Sequence, residues 1–153
     1  MDVSYRKALP EDVDACVKLR GLTREYPLSL EQLQARGITP ESWTRDISIG
    51  TLPGHVFLAD GKIVGYCFGI METGEVGVLA VLPEFENKGI GRALLDMMVR
   101  DFSNQGFDRL FLGCSSNPQA RSYGFYRHLG WRSTGTWDAA QDEILEYFPS
   151  HGN

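Results

Sequence analysis

The sequence predicts a mixed α/β domain: a mostly antiparallel sheet of about seven strands flanked by about four helices. Three observations predict it. Apolar runs 55–59, 62–71 and 75–82 are separated by the tight turns Asp60-Gly61 and Thr73-Gly74, which suits an antiparallel meander. The run ending at Leu82 meets Pro83, then a polar loop with Gly89 and Gly91, then an amphipathic stretch 92–102. A further apolar run, 110–114, follows the stop Asn104-Gln105-Gly106. Strand, helix, strand at that length is a crossover and puts parallel neighbours into the sheet.

The elements follow in order. Val3 to Ala8 reads as a first strand. Pro10-Glu11-Asp12 opens a helix to about Leu22, since proline suits the first turn and acids suit its positive end. Ser29 caps an expected short helix, Leu30 to Ala35, stopped by Gly37. Thr39-Pro40-Glu41 starts another, through Trp43 to about Ile49. After the meander and the long helix, 110–114 is a short buried strand. Gln119 to Leu129 reads as the last helix, stopped by Gly130, and 131–136 with 143–147 as closing strands.

Composition narrows the function. A chain of 153 residues suits one domain over 1–153. Net charge is −5, so no basic face points to nucleic acid. Cys16, Cys67 and Cys114 are widely spaced with no CxxC, which argues against a disulfide framework or a zinc site. The N-terminal segment lacks a signal-peptide core, and no apolar run approaches a membrane span. The expected setting is the cytoplasm.

The stretch 75–100 carries the chemistry. A strand, a glycine loop and a helix start aim free N–H groups at one point, where a diphosphate is at home. Glu86-Asn87-Lys88-Gly89-Ile90-Gly91 after Val81-Leu82-Pro83 resembles the acetyl-CoA-binding motif of the GNAT superfamily of N-acetyltransferases. That pattern is Gln/Arg-x-x-Gly-x-Gly/Ala, so both glycines match and Glu86 departs. A second stretch, Asn117-x-x-Ala120 with Phe125-Tyr126-Arg127-His128-Leu129-Gly130-Trp131, is similar to the family's C-terminal signature. It carries about two more residues than usual between Asn117 and Tyr126, and the element order also fits.

The resemblance implies the rest of the site. Two splayed strands would leave backbone of Leu79, Ala80 and Val81 exposed to the pantetheine arm of coenzyme A. Residues 86–91 and Arg92 would hold the diphosphate, with Asn117, Tyr123 and Tyr126 completing the cofactor set. Tyr126 would protonate the leaving sulfur, and Tyr123, three residues earlier, competes for that role. A main-chain N–H near Val81 would bind the oxyanion. Attack by an amine requires its neutral form, and a carboxylate can take the proton. Glu75, fourteen residues before Gly89, falls where histone-acetylating members keep a glutamate. Glu72 and ordered water remain alternatives. Tyr26 and Trp43, with Glu25 and Glu31, would line the amine pocket; core packing and solvated acids are the plainer reading. Cysteine and serine lie in no motif for a covalent acyl-enzyme, and His55, His128 and His151 carry no catalytic signal.

The expected activity is acetyl transfer from acetyl-CoA to a primary amine by direct attack in a ternary complex. Alternatives are a non-catalytic acyl-CoA-binding module and a plain α/β domain whose glycines merely turn the chain. The acceptor stays open among peptide N-termini, lysine, polyamines, aminoglycosides and small amines. Oligomeric state is also open, with a homodimer among the expected assemblies.

Overall fold

The computed structural model describes residues 1–20, 22, 39–139 and 141–149. The short helix expected over 30–35, and Glu25, Tyr26, Glu31 and His151, lie outside the described residues. Seven strands form one sheet in the order β1-β2-β3-β4-β5-β7-β6. They are β1 Val3–Lys7, β2 Gly54–Ala59, β3 Lys62–Ile70, β4 Glu75–Val81, β5 Leu110–Cys114, β6 Arg132–Trp137 and β7 Glu143–Tyr147. Four helices accompany them among the described residues: α1 Val13–Arg20, α2 Pro40–Ile49, α3 Ile90–Asn104 and α4 Arg121–His128.

Local chemistry explains the boundaries. Pro10–Asp12 forms a 3-10 turn rather than the first turn of α1. Asp12 explains this: its carboxylate accepts from Leu9 N–H at 2.7 Å and from Arg6 at 2.7 and 3.0 Å. Thr39 caps α2 by accepting from Ser42 N–H at 3.0 Å, and Gly50 ends that helix at φ 85°. Asp60 and Gly61 both take positive φ, 50° and 79°, so the hairpin turn twists with its strands. The last helix begins at Arg121, two residues later than expected, because Ala120 still has extended backbone.

Two cores flank the sheet. On one face α3 presents Leu94, Leu95, Met98 and Phe102, all buried at helical spacing, and α4 adds Tyr126. Burial stabilises each such side chain by about 1.5–3 kcal/mol. The close fit has a cause in β3: a Cβ at Gly69 would sit 2.4 Å from the Phe102 ring. On the other face α1 and α2 bury Val13, Cys16, Leu19 and Trp43 against Val56, Tyr66 and Phe68.

Candidate active site

β4 and β5 run parallel and share one register pair, Glu75 with Phe111. Beyond it they diverge. On its other edge β4 is engaged by β3, Val81 pairing Gly65, Ala80 pairing Tyr66 and Leu79 pairing Cys67. Leu82 N–H donates to Val64 O at 2.9 Å. Alternation along an antiparallel strand then turns Ala80 toward β3 and turns Val81 and Leu79 toward the gap. Two N–H and two C=O groups thus face an opening in which, among the described residues, β4 has no strand partner. Gly77 is an inserted residue: Phe68 pairs Val78 while Gly69 pairs Val76. A bulge of this kind bends its strand locally, and it lies just past the last β4–β5 pair. A glycine within a strand run was the available signal for it.

The gap widens into a cleft of about 610 Å³. Its far end is the start of α3. Gly89 is the helix N-cap at φ 81°, and no side chain caps the turn. N–H groups of the first helical residues have no intrahelical partner by geometry. Among the described residues, no backbone hydrogen bond from loop or turn outside the helices occupies the N–H of residues 87–92. Asn87 also takes a left-handed conformation, φ 63°. The main chain here forms an anion-receiving concavity. Gly89 is required by its φ. An added Cβ at Gly91 would make only ordinary contact, 3.5 Å, with Phe125.

The opposite end is acidic. Glu75 lines the cleft with Asp138 and Asp142 from the β6–β7 connection. Asp142 N–H donates to Asp138 Oδ1 at 3.0 Å. A Cβ on Gly113 would stand 2.9 Å from Asp138 Oδ2, so glycine on β5 admits that carboxylate. Burial, and secondarily the charge of Asp138, raises the Glu75 pKa. Tyr126 is buried, 9% exposed, and lines the same cleft, held edge-on by Phe125 and Trp131 at 5.0 and 6.0 Å. Cys114 also lines it, but burial pushes its thiol up to about 11, which leaves little thiolate for attack.

The cleft gathers Glu75, Leu79, Ala80, Val81, Glu86, Asn87, Gly89, Ile90, Gly91, Arg92 and Tyr126. Five other expected site residues stand outside its lining. Trp43 is core, 5% exposed, packed edge-on against Phe68 at 5.2 Å. Glu72 is an exposed turn residue. Tyr123 lies beneath the Arg127 guanidinium, 3.7 Å from its ring centre. Asn117 is spent on the turn before α4, its Oδ1 accepting from Gln119 N–H at 2.9 Å. Lys88 is exposed on the loop and leaves only its main chain for a ligand. Residues not expected from sequence also line the cleft: Gly77, Asp138 and Arg121, with Arg20 from the end of α1.

Comparison with known proteins decides the family. A model described as Acetyltransferase (GNAT) family matches residues 21–131. The chain belongs to the GNAT acetyltransferase family. An uncharacterised N-acetyltransferase of Chlorobaculum tepidum is 32% identical over 98 residues, spanning 61% of this chain and 54% of that protein. Among solved structures, the PaiA N-acetyltransferase of Thermoplasma acidophilum in complex with coenzyme A superposes with a TM-score of 0.81 at 18% identity, covering 97% of this chain and 100% of that one. The structure of yncA from Salmonella typhimurium with acetyl-CoA gives 0.72 at 16% identity, over 100% and 98% of the two chains. At such identities the structural likeness establishes the GNAT fold, with its mixed sheet and flanking helices. No helix of the described residues is long and apolar enough to cross a membrane.

Proposed function

We propose that this chain is an acetyl-CoA-dependent N-acetyltransferase that acetylates a primary amine by direct transfer. One observation carries the reading. The gap-facing N–H and C=O groups of Leu79 and Val81 lead from an uncapped helix start, at one end of a single cleft, to a half-buried carboxylate at the other. The residues fit coenzyme A on that ground: the concavity of 87–92 suits a diphosphate, and the free β4 edge suits the amide-bearing pantetheine arm as a surrogate strand. From Glu75 to Val81 the strand covers about 20 Å, a length comparable with that arm.

When bound, acetyl-CoA supplies the activated acetyl thioester. Glu75 takes the proton from the acceptor ammonium, directly or through water. Its raised pKa brings it nearer the operating pH, where a base is most effective. The main-chain N–H of Val81 or Leu79 receives the charge that develops on the carbonyl oxygen; of the two, Leu79 lies nearer Glu75. Tyr126 would give its phenolic proton to the departing sulfur and recover one, through water, from the amine nitrogen as the amide forms. We further propose one domain over 1–153, a cytoplasmic setting and a homodimer.

Release of free thiol, followed with acetyl-CoA against a panel of primary amines, tests the activity. Product mass identifies the acceptor. Cofactor binding by calorimetry without turnover on any acceptor would leave a binding module instead.

A further inference from the structure

Glu86 stands where the related motif has Gln or Arg, and it brings a carboxylate to the edge of a diphosphate site. Its side chain is only 9% exposed and is paired with Arg121 Nε at 2.9 Å. The same guanidinium donates from Nη1 to Asn87 Oδ1 at 2.9 Å. One planar fork therefore engages two successive residues of the loop, the second in a left-handed conformation at φ 63°. Arg121 is the first residue of α4, the helix that carries Tyr126. All three side chains line the cleft.

We propose that Arg121 is the positioning residue of the diphosphate loop. It cancels the Glu86 charge and pins Asn87 in its left-handed turn, so the N–H groups of 88–92 stay aimed at the anion. It also ties the cofactor loop to the helix bearing the proposed acid. The fork geometry favours arginine, because its planar donors are fixed in direction whereas an ammonium is a point charge on a flexible stem. The inference rests on the cofactor reading above.

The test is a mutant cycle read as the Kd of coenzyme A by calorimetry, together with KM and kcat. Arg121→Gln removes the guanidinium that faces Glu86 beside the diphosphate and is expected to raise Kd and cofactor KM about tenfold, with kcat at saturating cofactor changed less than twofold. Arg121→Lys keeps the charge but not the fork, and falls between. In the Glu86→Gln background most of the Arg121→Gln penalty disappears, because the carboxylate it balanced is gone. An equal penalty in both backgrounds overturns the proposal, since Arg121 would then act on the cofactor itself. An unchanged Kd in Arg121→Gln overturns it too. If the unmodified protein does not bind coenzyme A, the cofactor reading fails first and this inference falls with it.

Discussion

The two ends of the cleft are built from different materials. The end proposed for the phosphates is main chain: a left-handed Gly89, an uncapped α3 start and strand groups turned into a gap. The end proposed for the acceptor is side chain: Glu75 from β4, Asp138 from the β6–β7 connection and Tyr126 from α4. Backbone donors keep their direction whatever side chains surround them. Carboxylates and phenols act only where tertiary packing sets their neighbours. Substitutions should therefore act by shape and strain at one end and by proton affinity at the other.

The largest effect is expected at the acceptor end. Glu75→Gln should lower kcat by about 10²–10³ while cofactor Kd stays nearly constant. It should also stabilise the fold at neutral pH. Glu75 binds its proton more tightly folded than unfolded, because burial and Asp138 raise its pKa. Its contribution to stability is therefore full at low pH and fades as pH rises through the folded value. The gain in Tm should accordingly shrink toward acid pH. A Tm lower than wild type at pH 7 would contradict this account.

At the other end, Gly89→Glu should raise the Kd of coenzyme A by about 100-fold or more, roughly 2.7 kcal/mol. It forces a carboxylate-bearing residue into φ 81° beside the phosphates. Binding within threefold of wild type would remove the main-chain cradle from the reading. Tyr126→Phe sharpens the contrast: kcat should fall about tenfold with cofactor Kd within twofold, since a thiol leaving group needs only modest help. Equal kcat would leave Tyr126 a packing residue.

The smallest effect is a displacement in pH. Asp138→Asn removes a negative charge that helps hold up the Glu75 pKa. The acidic limb of the kcat/KM profile should move toward lower pH, partially, because burial is the larger cause. A shift in the opposite direction would uncouple the two carboxylates.

Much of the fold was readable from local order. Thr39-Pro40, Asp60-Gly61 and Gly106 set their elements through caps and turns that depend on neighbours a few residues away. The loop 86–91 was readable for the same reason. Glu75, singled out by counting along one strand, lines the cleft. Tyr123 and Asn117 stand outside the cleft lining, a placement that depends on side-chain contacts no short-range pattern records. Trp43 followed its plainer reading, since an aromatic on an amphipathic helix is more often buried against the sheet. The Gly77 bulge had only a weak signal.

By itself the sequence determined most of the strands and helices, the turn chemistry between them and the left-handed glycine at the start of α3, because each arises from contacts within a few residues. Only the tertiary structure decided that Asp138 would press on Glu75 across 63 positions and that Arg121 would answer the charge of Glu86. Such pairs depend on how β5, β7 and α4 pack around the divergence of β4, and no short-range pattern records that.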